Sequence, residues 1–413
     1  MLRQRCICPA QRPYAAAVCI RRMHRTSVSA VCIGRMHRPY ASAVCIGRMC
    51  SGRVQRPLCS ARGPGVGRSL AASTACALQL RPDNPPMHLL IPFAGVLSEA
   101  GRQAAAHLVL PQLQGLLQCL APPQPQDRDD GDVWSLSPPH ERALAKALGW
   151  QGADGCLPWA AQQAAADGIT TGQLAWGLVT PVHWHVGTDQ VSLIDPEQLL
   201  LDETTSRALF AALHELFSGV GIALHYGTAS RWYAAHEMLA EMPCASLDRV
   251  IGRNVDRWLG VAAGSAAAAQ VRRLQAEVQM LLYTHPLNDA RQARGLLPVN
   301  SFWLSGCGRA QPALAVAAAA AAAASAVHVE QRLRSPALAE NWPGWVQAWQ
   351  TLDDGPLADL HVAARAGEPV QITLCGERAA QTLRSGSRGS QGWLQRLRRR
   401  LSSPAVQPLL EQL

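Results

Sequence analysis

His183-Trp184-His185 places two imidazoles two residues apart, and Asp189 follows shortly after. Alternate side chains of a strand share one face, so His183 and His185 could hold a divalent cation such as Zn²⁺ with Asp189 as a third ligand. The same pattern also describes hydrogen-bonded histidines at a half-buried rim beside a Trp, so both readings stand. His214, His225, His236 and His285 are further imidazoles, but spacing alone does not bring them to this pair. Cys307, between Gly306 and Gly308, and Cys375, before Gly376, fall at the ends of apolar segments. A thiol nucleophile there would need a lowered pKa and a nearby base; a buried, inert thiol is the plainer alternative. The sequence has no GxSxG, no P-loop and no GxGxxG, so lipase-like, nucleotide-hydrolysing and dinucleotide-binding chemistry has no support.

These residues sit in a pattern that alternates strand and helix after Met87. Leu89 to Phe93 is a short apolar strand, and Ala104 to Leu120 repeats Leu at helical spacing. A loop over 121–132 leads to a helix from Pro139 to Leu148. Leu178 to His185 and Gln190 to Ile194 form a strand pair around Gly187-Thr188-Asp189. Asp202 can cap a helix carrying Leu209, Phe210, Leu213, Leu216 and Phe217. A second strand pair over 221–225 and 230–234 precedes an amphipathic helix from Gln270 to Tyr283. Beyond Ala313 to Ala326, a linker or helix, come a strand near 327–333, a helix around Trp345 to Trp349 and a strand from Val370 to Leu374. Trp342, Trp345 and Trp349 share one helix face, which suits a packed core or a partner-binding groove. The alternation predicts an α/β protein.

A chain of 413 residues with formal charge +9 looks basic, but the excess is local. Residues 1–86 contain 14 Arg, no Lys and one acid, leaving 24 basic and 28 acidic residues in the remaining 327. A mildly acidic body gives no reason to expect nucleic acid as a partner. The tail carries a 13-residue repeat in three copies, RPYAAAVCIRRMH (12–24), RTSVSAVCIGRMH (25–37) and RPYASAVCIGRMC (38–50). That period is shorter than the structural repeats of roughly 20–50 residues that stack into solenoids. The tail therefore reads as disordered, and as spurious translation of repetitive DNA before a start at Met87; a transit peptide or a Cys-rich module are the alternatives. Five scattered cysteines in the body, with no CxxC, point to a reducing cytoplasm. The longest apolar run is Ala-rich and below the roughly 18 residues that a membrane span needs.

Residues 281–309, LLYTHPLNDARQARGLLPVNSFWLSGCGR, resemble a run in the archaeal-type cofactor-independent phosphoglycerate mutases: a helix, HPxN, an Arg, RG, PxN, a WLWG-like strand and GxG. The matching positions are His285, Pro286, Asn288, Arg291, Arg294, Gly295, Pro298, Asn300, Trp303, Leu304, Gly306 and Gly308. PVHWHVGTDQVSLIDPEQLLLDETTSRALFAAL (181–213) is similar to the strand pair and helix of the domain inserted in those enzymes, and ASRWYAAHE (229–237) to a short Arg-bearing strand. The resemblance implies that Arg231, Arg291 and Arg294, with Asn288 and Asn300, surround a phosphorylated or carboxylated acid. It also implies an alkaline-phosphatase-like core that holds two metals through Asp-Gly after its first strand and Asp-His after a late one. Pro92-Phe93-Ala94-Gly95 and Cys375-Gly376-Glu377-Arg378 stand there instead. In addition, MHLLIPFA, PPHERALAKALGW, HWHVGTDQVSL, LLYTHPLNDAR, LPVNSFWLSGCG and ITLCGER resemble the RpfE-type regulatory proteins of proteobacteria over most of residues 87–380.

Together these observations predict an alkaline-phosphatase-like α/β core over 87–175 and 327–413. A smaller mutase-like α/β domain over 176–300 interrupts it, and 301–312 is expected to return as a strand to the core. The expected function is regulatory and catalytically degenerate, binding a small phosphorylated or carboxylated molecule with no catalytic residues and no cofactor. The alternatives are a metal-dependent phosphoglycerate mutase or phosphatase using His183, His185 and Asp189, and a protein-interaction module. No nucleic acid and no membrane is expected as a partner.

Overall fold

The computed structural model describes residues 87–259, 264–311, 327–385 and 405–413. The expectations for the tail 1–86 and for the Ala tract 313–326 lie outside the described residues. The strands are β1 (Met87–Ile91), β2 (Arg128–Asp130), β3 (Ala175–Val186), β4 (Val191–Ile194), β5 (Ala223–Thr228), β6 (Arg231–Ala235), β7 (Ser301–Arg309), β8 (Val327–Val329), β9 (Val370–Cys375) and β10 (Ala379–Arg384). They form two sheets, so the α/β class follows directly.

The first sheet has the order β2-β10-β9-β1-β8. β1 runs parallel to β9 on one side and to β8 on the other, while β10 turns back antiparallel to β9. Leu89 and Ile91 of β1, with Ile372 and Leu374 of β9, bury into a core shared with the helices Pro111–Cys119, Trp342–Leu352 and Ala358–Ala366. Leu90 and Cys375 point to the other face, against Ala143 and Leu144 of the helix Pro139–Ala147. Burial on both faces is why β1 reads as an apolar run, whereas β9 alternates Val370, Ile372 and Leu374 with the polar Gln371 and Thr373. Trp345 and Trp349 are fully buried in this core, while Trp342 on the same helix is half-buried.

The expected single helix over 104–120 is two helices, Glu99–Ala106 and Pro111–Cys119. Pro111 lacks the N–H that would continue the first and suits the first turn of the second. The second start has no cap of its own; the Asp353 carboxylate accepts from the N–H groups of Gln112 and Leu113 at 3.0 and 2.8 Å.

The second sheet interrupts the first, with β3 as its long central strand. β6 and β7 both pair antiparallel with β3, β4 pairs with its far end and β5 with β6. The return strand expected at 301–312 is therefore corrected: Ser301–Arg309 stays in the inserted sheet. Phe302 and Leu304 account for this, since they bury against Val271, Leu274 and Val278 of the helix Ala266–Tyr283. The helix Glu203–Gly219 closes the same core, capped by Asp202 as its sequence predicts. No described helix is long and apolar enough to cross a membrane.

Candidate functional site

β1 and β9 end side by side, and the Ala94 N–H donates to the Cys375 carbonyl at 2.7 Å just beyond them. Crevices at the carboxyl ends of adjacent parallel strands are the usual ligand position in open α/β sheets. Here the crevice is a cavity of about 190 Å³ bounded by Phe93, Gly376 and Glu377 from the strand ends, by His140, and by Asp248, Arg249 and Arg253 from the inserted segment. Larger, more open depressions of about 670 and 910 Å³ lie elsewhere. Several of their charges are engaged within the protein: Arg142 by Asp129, Asp154 by the N–H groups of Leu136 and Ser137, and Glu237 by Arg309.

Backbone strain gathers at the smaller cavity. Three non-glycine residues among those described have positive φ, and two of them, Phe93 (56°) and Glu340 (50°), line it. Such residues persist only where their surroundings impose the conformation. The Trp345 indole N–H imposes it on Phe93 by donating to its carbonyl at 2.9 Å.

The charged groups around the cavity are arranged unequally. Asp248 lies 2.7 Å from Arg334 and 3.2 Å from His140. Burial alone would raise its pKa, but the His140 hydrogen bond and the Arg334 charge outweigh burial and lower it to about 2. Next to His140, burial pushes Glu141 up to about 7 even though the Ser246 hydroxyl donates to it at 2.5 Å. Glu377 accepts from the Leu97 N–H at 2.9 Å and from Arg253 at 3.1 Å.

Arg249 differs from all of these. It is 3% exposed, and it donates to the Glu377 carbonyl at 2.8 Å, to the Ser135 hydroxyl at 2.7 Å and to the Asp132 carbonyl at 3.3 Å. Every one of those acceptors is uncharged. Its Nε meets no acceptor among the described residues, and none of their carboxylates lies within ion-pairing distance of it. Burial first, then repulsion from Arg253 and Arg142, lower its pKa to about 10, so it stays cationic at neutral pH. A buried charge without a counter-charge is costly, and here it borders a cavity.

The residues singled out by sequence lie elsewhere. Arg231 is held by Asp167 at 2.8 Å and by the Tyr233 hydroxyl. Asn288 bridges the carbonyls of Leu282 and Val299 and accepts from the Val299 N–H. Asn300 pairs with both backbone groups of Trp184. Arg291, buried, donates to the carbonyls of Leu297 and Leu199, and Arg294 is exposed at the end of the helix Pro286–Ala293. Asn300 ties a loop to β3, Asn288 and Arg291 tie the helix Pro286–Ala293 to neighbouring helix and loop backbone, and none of the five lines the strand-end cavity.

The metal alternative is corrected as well. His183 and His185 do share a face, with ring centroids 6.5 Å apart, but His183 Nδ1 is engaged by the Pro298 carbonyl at 2.9 Å. Asp189 lies in the turn beyond the paired ends of β3 and β4. Among the described residues no three His, Cys, Asp or Glu are placed to hold a metal ion. The two-metal centre implied by an alkaline-phosphatase-like core does not fit either: Phe93 and Gly376 occupy the strand ends, and Glu377 is engaged by Leu97 and Arg253. Cys307 and Cys375 are fully buried with thiol pKa values raised, Cys307 by hydrogen bonding to Cys244 and burial, Cys375 by burial. Both are inert by that measure.

What sequence reading missed is the segment Asp248-Arg249-Val250-Ile251-Gly252-Arg253. Its signal is two Arg around a Gly in an otherwise apolar stretch, with Gly252 at φ 74°.

No protein-family model matches the sequence, and no curated protein sequence does. Among solved structures the chain is similar to a protein of Pyrococcus horikoshii, at 13% identity over 76% of this chain and 92% of that one, with a TM-score of 0.38. It is also similar to a cofactor-independent phosphoglycerate mutase from Thermoplasma acidophilum, at 14% identity over 79% and 99% of the two chains, with a TM-score of 0.29. Neither likeness carries an argument about chemistry at these scores.

Proposed function

We propose that this protein binds a small anionic molecule, phosphorylated or carboxylated, in the cavity at the ends of β1 and β9, and that it acts as a non-catalytic regulatory sensor. The observation that carries the reading is Arg249, a 97% buried guanidinium that lines the cavity without a carboxylate partner. An anion supplies the missing counter-charge. Phe93 and Glu340, the strained backbone positions, line the same cavity.

The regulatory part of the proposal draws on the resemblance to RpfE-type proteins, and the ligand class on the resemblance to the mutases. The site has moved from Arg231, Asn288, Arg291, Arg294 and Asn300 to the strand-end cavity. The reading includes a cytoplasmic setting, where Cys244 and Cys307, with sulfurs 3.5 Å apart, remain thiols.

The test is thermal unfolding of the full chain with 3-phosphoglycerate, acetate and phenylacetate, for wild type and Arg249→Gln. A ligand at 100 times its Kd stabilises by about 2.7 kcal/mol. At least one anion is expected to raise the wild-type Tm and to leave the variant unmoved; equal shifts in both proteins, or none in either, reject the proposal.

A further inference from the structure

We infer that the anion taken by this cavity is a monocarboxylate carried on an aromatic or branched apolar body, and not a phosphate ester. The inference rests on the anion-binding reading above and narrows its ligand class by charge and by shape.

Charge comes first. Arg249 is the unpaired cation of the cavity, because Arg253 is shared with Glu377 at 3.1 Å and Arg334 is bound to Asp248 at 2.7 Å. Asp248 and Glu377 both line the same space. A phosphate monoester carries about −1.5 to −2 charges near neutral pH. One guanidinium cannot balance that, and the excess would face the carboxylates of Asp248, Glu340 and Glu377, which line the same space. A carboxylate brings a single charge, which Arg249 alone neutralises. The backbone donors agree: the nearby N–H groups of Leu97, Gly252 and Arg253 already serve Glu377, Leu193 and Val250. Phosphate sites are built from several free donors converging on one point.

Shape comes second. Besides the charged groups and Ser98, the walls include the apolar side chains of Phe93, Val96, Ile251, Leu338 and Trp342. Phe93 stacks obliquely on His140 with centroids 5.3 Å apart and keeps part of its ring exposed. About 190 Å³ lies below the roughly 300 Å³ lower end of drug-sized pockets, so the body is small.

The experiment is isothermal titration of the full chain near neutral pH with phenylacetate, phenyl phosphate and acetate, which separate head group from body. Phenylacetate is expected to bind at least about tenfold more tightly than either of the others. Glu377→Gln keeps the side chain's shape while removing one facing charge, and it is expected to bring phenyl phosphate at least about threefold closer to phenylacetate. Phenyl phosphate binding as well as phenylacetate in the wild type overturns this inference and leaves the anion-binding reading standing. Acetate equal to phenylacetate overturns the apolar-body part. No binding by any of the three overturns the inference, and the proposed function falls with it when 3-phosphoglycerate also leaves the wild-type Tm unmoved.

Discussion

Arg249 donates to the backbone carbonyl of Glu377 at 2.8 Å while the carboxylate of that same residue turns away to Arg253 and the Leu97 N–H. The inserted segment is thereby fastened to the end of β9, yet the Arg249 charge is left unanswered.

Acid and base limits of stability follow from Asp248 and Glu141. Asp248 has an ordinary value of 3.8 and is held near 2 in the fold. Its ionised form is the stabilised one, so its contribution is complete above about pH 4 and is lost as pH falls through 2. At about 1.4 kcal/mol per pKa unit this is about 2 kcal/mol. Glu141 runs the other way: raised from 4.5 to about 7, it stabilises while protonated, fully below 4.5, and that contribution is lost as pH climbs through 7. Urea unfolding across this range is expected to show a decline from pH 4.5 to 7 that Glu141→Gln flattens. The same decline in the variant would show that the Glu141 carboxyl is not its source.

Trp345→Phe removes the hydrogen bond to the Phe93 carbonyl while keeping most of the buried ring. The carbonyl is left partly unsatisfied, at a cost of about 1–3 kcal/mol. Because that bond also holds Phe93 at positive φ, anion affinity is expected to fall alongside stability. A variant that loses stability yet binds phenylacetate like wild type would separate the strained turn from the ligand site.

Asn288→Ala deletes three buried hydrogen bonds that tie the helix Pro286–Ala293 to Val299 and Leu282. The exposed orphan groups are expected to cost about 2–4 kcal/mol in urea unfolding. Anion affinity is expected to stay at the wild-type level, since Asn288 lies outside the strand-end cavity. A loss of affinity with little loss of stability would return the site to the residues that sequence reading favoured.

The strands that build the site were legible from their apolar residues: the run Leu89 to Phe93 and the alternating Val370, Ile372 and Leu374 anticipate β1 and β9 closely. The Asp202 cap and the helix after it were legible from local chemistry alone. β2 escaped notice because Arg128–Asp130 is polar and gains strand structure only by pairing with β10. β7 was assigned to the wrong sheet because its partner, β3, is set by helix packing far along the chain. The site failed to show for a related reason. Arg249 looks like any surface Arg in sequence, and its unpaired state arises only when three distant segments, at 92–98, 135–141 and 376–377, close around it.

A crystal structure of the full chain grown with 4-bromophenylacetate tests the central claim most directly, since anomalous scattering locates the bromine independently of the protein. The account predicts a carboxylate oxygen within hydrogen-bond distance, about 3 Å, of the Arg249 guanidinium, with the bromophenyl ring against Phe93 and Trp342. An anion seated instead at Arg231, Arg291 or Arg294, or a cavity left empty at saturating ligand, would contradict it.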